Sequence, residues 1–160
     1  MTHDQLSETV KLCLSGAKTN LERDGHLVPA GIIFYGENKY DLVALHYYDG
    51  ESNKQNVANQ FIALARKLQA TAVVTIFDAW AAMVKEIPKD KRVRDLPEAR
   101  DVIVVSGHMP DYQTMACSYY VKTDKGFVFD DDNELANASP GQSRFTDGIW
   151  ETHGVTNAIQ

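Results

Sequence analysis

Ala72-Val-Val-Thr-Ile-Phe77, continuing through Asp78-Ala79-Trp80, and Val102-Ile-Val-Val105 are the two stretches that decide the fold of this chain. Each is apolar at nearly every position, so both alternating faces of the strand that it forms must be covered by other structure. The two stretches therefore predict central strands of a sheet that is packed on both sides.

Two amphipathic helices are predicted before these strands, over residues 4–23 and 53–69. The first has an apolar stripe at steps of three and four residues, formed by Leu6, Val10, Cys13, Ala17 and Leu21. Thr2 and Gln5 have the spacing of a capping box at its start, and Ser52 is the expected N-cap of the second helix. The pattern predicts one helix for each face of the sheet.

Further strands are predicted on either side of the central pair. Residues 28–35 and 40–47 form a hairpin, residues 112–121 alternate cleanly, and residues 127–129 form a short extension. Because the connections are mostly short, antiparallel pairing is favoured. We expect an α+β domain with a largely antiparallel five-stranded sheet and the element order α-β-β-α-β-β-β-β, in which the last β is the short extension.

The predicted domain covers residues 1–132, and residues 133–160 form an irregular C-terminal extension that docks on it. Phe145, Ile149 and Trp150 are the apolar residues expected to anchor this extension. Residues 85–100 hold two prolines and many charges, which predicts an excursion over the surface.

The chain resembles known proteins in two respects, one in sequence and one in element order. The stretch from Thr71 to Trp80, followed by a charged loop and the stretch from Pro97 to Gly107, resembles a group of small uncharacterised bacterial and phage proteins. This resemblance implies a phage or mobile-element origin and a host protein as partner, and it brings no site residue with it. The element order is similar to that of profilin-like, roadblock-like and GAF-like domains, which carries no activity by itself.

The composition excludes several classes of function. The chain has 160 residues and a formal net charge of -6, which argues against binding to nucleic acid or to an anionic membrane. It shows neither a secretory signal nor an apolar run of membrane-spanning length, so we expect a cytoplasmic protein. Cys13 and Cys117 are expected to be reduced, structural thiols.

Motifs for metals and cofactors are missing from the sequence. The five histidines have no zinc-binding spacing, and no glycine-rich phosphate loop or dinucleotide fingerprint occurs. The acidic run at residues 130–134 has oxygen ligands at alternate positions but lacks the glycine of a calcium loop. We therefore expect neither a metal nor a cofactor.

The weak candidates for catalysis are Asp78, His108 and Asp111. Asp78 interrupts an apolar stretch, and a carboxylate there must reach water or a hydrogen-bond partner. His108 lies in a predicted turn, where Asp111 or Asp78 could orient it as a general base. An enzyme would bring all three side chains to one cleft at the strand ends.

The candidates for partner binding are the aromatic residues Trp80, Tyr112, Tyr120 and Tyr48, which the pattern places on exposed or loop-adjacent positions. Aromatic residues are enriched in protein interfaces. The leading hypothesis is accordingly a non-enzymatic protein-binding module, either homodimeric or bound to another protein. Two alternatives stay open, a small-molecule enzyme that uses Asp78, His108 and Asp111, and a GAF-like small-ligand sensor with an internal apolar cavity.

Overall fold

The computed structural model describes residues 1–46, 50–82, 84, 86–131 and 143–150. These residues form two α-helices, α1 (His3–Asp24) and α2 (Glu51–Lys67), and a short 3-10 helix at Val93–Asp95. They also form the strands β1 (Ala30–Tyr35), β2 (Lys39–Ala44), β3 (Ala72–Ala81), β4 (Arg100–Met109), β5 (Tyr112–Thr123) and β6 (Gly126–Asp130). The predicted α+β class and element order are confirmed.

The strands form one antiparallel sheet in the order β2-β1-β3-β4-β5-β6. The sheet has six strands in the described residues, whereas the sequence predicted five. The difference is β6, which turns back at Thr123 and Gly126 and pairs along β5 as far as Asp130. The short extension at residues 127–129 is therefore a full edge strand.

The ends of the two helices show how far local sequence determines structure. The capping box of α1 forms as predicted, because Thr2 Oγ1 accepts from the Gln5 amide at 3.1 Å and Gln5 Oε1 accepts from the Thr2 amide at 2.8 Å. The expected N-cap of α2 is wrong. That helix begins earlier, with Gly50 as N-cap and no capping side chain, so Ser52 lies within its first turn.

The helices cover opposite faces of the sheet, which gives three layers. On the α1 face, the stripe of α1 packs on a cluster that includes Val74 and Ile103. On the α2 face, Phe61 and its neighbours on α2 pack on a cluster that includes Ile33 and Val73. The cover predicted for both faces of the central strands is therefore present.

Each helix approaches the sheet closely over one glycine. A Cβ built on Gly107 would lie 2.6 Å from Val10 Cγ2, and a Cβ on Gly31 would overlap Phe61 Cε2. Neither approach leaves room for a carbon–carbon contact. The absence of a side chain at these two positions sets how near the helices lie to the strands.

Residues 143–150 pack against the α2 side of the sheet. Phe145 and Ile149 are buried there, and the Trp150 indole donates a hydrogen bond to the Ala70 carbonyl at 2.8 Å. The Arg66 guanidinium donates to the Gly148 carbonyl. The division of the chain into a domain at 1–132 and an extension at 133–160 stays a prediction, since residues 133–142 and 151–160 lie outside the described part.

Candidate functional site

Asp78 lies in the second half of β3 and points to the α1 face. The Tyr120 hydroxyl of β5 donates a hydrogen bond to Asp78 Oδ1 at 2.8 Å. Burial raises the pKa of the Asp78 carboxyl, the hydrogen bond from Tyr120 lowers it, and the charge of Asp101 raises it further. A carboxylate in this apolar stretch was predicted to reach water or a hydrogen-bond partner, and Asp78 does both, because the residue is partly exposed and Tyr120 donates to it.

His108 is a buried residue of β4 rather than part of a turn. Its side chain is 2% exposed on the α2 face, and Nε2 has no hydrogen-bond partner among the described residues. Burial lowers the pKa of His108, and the negative charge of Asp147 opposes this shift. The ring is therefore kept neutral at pH 7 and contacts no acid or base by hydrogen bond in the described part of the chain.

Asp111 lies in the turn between β4 and β5, where it contacts the start of α1. Its carboxylate is 3.2 Å from His3 Nε2, and both side chains are exposed. The His3 ring stacks on Tyr112 at 4.3 Å, and the Tyr112 hydroxyl lies 2.9 Å from Ser7 Oγ. These contacts hold the first turns of α1 against the end of the sheet.

The structure does not bring the three catalytic candidates together. Asp78 pairs opposite Ile103 and points to the α1 face, whereas His108 pairs opposite Val73 and points to the α2 face. Five residues separate the two positions along the strands, about 17 Å at the usual rise of a strand. The cleft that the enzyme hypothesis requires is not formed by these residues.

The aromatic candidates for partner binding occupy different environments. Trp80 is 51% exposed, and the Arg94 guanidinium lies 5.8 Å from its ring. Tyr120 is only 9% exposed, and Tyr112 is packed beside α1, because α1 covers the face of β5 that the alternating pattern predicted to be exposed. Tyr48 lies outside the described residues. Among the described candidates, Trp80 alone is about half exposed.

The exposed apolar surface lies elsewhere, on the edge strand β2. Tyr40 and Leu42 are 65% and 68% exposed, and they point to the α1 face beside Phe34 and Ile32 of β1. We call these two β2 residues the edge strip. They remain exposed because α1 contacts β3, β4 and β5 and does not extend over β2.

A groove separates α1 from the β1–β2 hairpin next to the edge strip. It has a volume of about 470 Å³, and its lining includes Leu12 of α1 and Phe34 of β1. Leu12 is 72% exposed, and the Phe34 ring lies 6.1 Å from that of Tyr40. We call it the hairpin groove. Sequence could have indicated it, because Leu12 falls outside the apolar stripe of its helix.

Comparison with known proteins gives no relative. No protein-family model matches the chain, and no curated protein and no solved structure matches it either. Neither described helix is long and apolar enough to cross a membrane. Among the described residues, no group of three or more His, Cys, Asp or Glu side chains is placed to hold a metal ion.

Proposed function

We propose that the protein is a non-enzymatic protein-binding module that pairs a strand of its partner with β2. The observation that carries this proposal is the edge strip, where Tyr40 and Leu42 are about two-thirds exposed on a strand with β1 as its only neighbour in the described sheet. Strand addition to a free sheet edge is a common mode of protein recognition, in which backbone hydrogen bonds supply affinity and side chains supply specificity.

The opposite edge of the sheet supports this assignment by contrast. On β6, the rings of Phe127 and Phe129 turn toward the α1 face and pack beside Tyr120, at ring distances of 5.8 and 6.4 Å. The Nζ atoms of Lys122 and Lys18 lie 5.8 and 5.5 Å from those two rings. Packed rings and nearby charge cover the α1 face of the β6 edge, whereas Tyr40 and Leu42 on the same face of β2 lack this cover.

A second copy of this chain fits the β2 edge. In a twofold antiparallel pair, residues directly opposite one another point to the same face of the sheet. A register that places Leu42 opposite its own copy places Tyr40 opposite Ala44 and keeps the two Asp41 carboxylates from facing each other. Burying one leucine side chain contributes about 1.5–3 kcal/mol. Self-association through β2 is therefore the first form of the proposal to test.

The test is sedimentation velocity over a wide range of protein concentration, with a matched pair of variants. We expect the native chain to form a dimer as concentration rises and Leu42→Lys to stay monomeric, because a charged residue at an edge opposes pairing. Val128→Lys is the control, since Val128 is 59% exposed on the other edge strand. It should dimerise like the native chain.

Two results would contradict the self-associated form. One is a native chain that stays monomeric throughout. The other is a dimer that Val128→Lys disrupts as strongly as Leu42→Lys. A further outcome is a native chain that is monomeric but binds a purified partner protein, with this binding lost in Leu42→Lys and kept in Val128→Lys. The β2 edge would then recognise another protein, as the resemblance to phage proteins implies.

A further inference from the structure

His108 is a buried titratable residue in the middle of the sheet, and the proposed function does not use it. It lies on β4 between Val73 of β3 and Gln113 of β5, which are directly opposite it in the two ladders. Its side chain is 2% exposed, and Nε2 has no hydrogen-bond partner among the described residues. Because a charged ring without a partner is costly in such a place, protonation is favoured only in a state that admits water.

Residues 143–150 cover His108 on the α2 face, and we call them the cover segment. Phe145 and Ile149 of the cover segment are buried in the same apolar cluster as Val73, the residue opposite His108. The two strands beside His108 are fixed by their ladders, and α1 packs on the other face of the sheet. Water therefore reaches the ring most directly when the cover segment moves away.

The cover segment is attached through side chains rather than through strand pairing. It belongs to no ladder of the described sheet, and its amides at Thr146 and Asp147 both donate to the Ser143 carbonyl at 2.9 Å. At its end, the Trp150 indole donates to the Ala70 carbonyl at 2.8 Å. β4, in contrast, is paired on both sides along its length. Local opening of the cover segment therefore requires less free energy than separation of β4 from the sheet.

The charged groups around His108 do not stabilise a buried positive ring. Burial lowers the pKa of His108, and the exposed carboxylate of Asp147 in the cover segment raises it by less. From α2, the Arg66 guanidinium donates to the Gly148 carbonyl, next to Asp147. The residues opposite His108 on β3 and β5 are uncharged. The closed arrangement therefore binds a proton at His108 less readily than an open, hydrated arrangement does.

We propose that the cover segment is a pH-sensitive device, which protonation of His108 releases from the sheet. The closed state is fully favoured above about pH 6.5, where a hydrated histidine is also neutral, and it loses this preference as pH falls further. Proton uptake by the open state alone shifts the population toward that state. Release exposes Phe145 and Ile149 together with the part of β3 beneath them.

Amide hydrogen exchange of the native full chain at pH 7.5 and pH 5.5 tests this device. The amides of Asp147 and Ile149 and the Trp150 indole should be less protected than the Val105 amide of β4, and low urea should not change their exchange, because local opening exposes little surface. After correction for the intrinsic effect of pH, their protection should fall several-fold at pH 5.5, with a limit of about tenfold for a histidine that titrates only when open.

Three results would overturn the proposal. One is protection of the cover segment equal to that of Val105, since only global unfolding would then free it. Another is exchange of the cover segment that depends on low urea as strongly as the exchange of Val105. The third is equal protection of the cover segment at the two pH values.

Variants identify the group that responds to pH. His108→Phe cannot titrate, so the cover segment should be equally protected at both pH values, and His108→Gln asks the same question with a polar side chain. Asp147→Asn keeps the histidine and removes the opposing charge, so its loss of protection should be at least as large as in the native chain. A native-like loss in both His108 variants, or no loss in Asp147→Asn, would assign the response to another group and overturn the proposal.

This device is independent of the proposed partner surface. Leu42→Lys, which is designed to abolish pairing at β2, should leave the pH dependence of the cover segment unchanged, because Leu42 points to the α1 face. Either proposal can therefore fail without the other.

Discussion

The two faces of the sheet differ in whether their buried polar side chains are hydrogen-bonded. On the α1 face, Ser118 is fully buried and its hydroxyl donates to the Tyr119 carbonyl at 3.3 Å. On the α2 face, His108 is 2% exposed, but its Nε2 has no hydrogen-bond partner among the described residues. Because a buried polar atom without a hydrogen bond costs stability, His108 lowers the stability of the α2 face in a way that Ser118 does not on the α1 face.

On the α1 face, the centre and the edge differ in how far they are covered. Its centre is closed by the stripe of α1, whereas Tyr40 and Leu42 at the β2 edge are exposed. The α1 face therefore combines a covered, stabilising centre with an exposed apolar edge, and this edge is the surface on which the proposed function depends.

The largest expected effect tests whether α1 stabilises the folded protein only through its buried apolar stripe. Leu6 is fully buried and Leu12 is 72% exposed on the same helix. Leu6→Ala should lower the free energy of unfolding by about 2–5 kcal/mol, and Leu12→Ala should change it by less than about 0.5 kcal/mol. Urea denaturation measures both, and similar losses in the two variants would contradict the division of this face.

A smaller effect tests the close approach of each helix to the sheet. Gly107→Ala and Gly31→Ala should each cost about 1–3 kcal/mol, because the new methyl group overlaps Val10 or Phe61. Gly16→Ala is the control, since Gly16 lies in α1 with open space around it, and it should gain about 0.5–1 kcal/mol from helix propensity. Thermal unfolding of the three variants gives the ranking, and neutral substitutions at both sheet glycines would show that the helices can move away without cost.

The smallest expected effect concerns His108 and appears only when the pH falls below neutral. Because burial lowers the pKa of His108 in the folded protein, the unfolded chain takes up a proton first as pH falls below about 6.5. The stability contributed by the neutral ring is full above that pH and is lost as pH falls toward the folded-state pKa.

Urea denaturation at pH 7.5 and at pH 5.5 measures this loss. His108→Phe cannot titrate and should lose less stability between the two pH values than the native chain. His26→Asn, at an exposed position, serves as the control and should behave like the native chain. A native-like pH dependence in His108→Phe would place the responsible group elsewhere.

Local sequence predicted the elements well and the environment of single side chains less well. The capping box at Thr2 depends on residues three apart, so it could be read directly from sequence and is confirmed. Tyr120 was expected on a surface, because an alternating strand does not show which of its faces another element covers. The pairing of β6 was underestimated for a similar reason, since a strand of five residues is defined mainly by its neighbour.

The sequence by itself determined that residues 72–77 and 102–105 form covered central strands, because a run without a polar face must be buried on both sides. Only the tertiary structure decided which parts of the sheet the two helices leave uncovered. The lateral position of α1 leaves Leu42 exposed at one edge, and the β3–β4 register places His108 opposite Val73 on the covered α2 face. Such positions depend on contacts between residues far apart in the chain, and local periodicity contains no information about them.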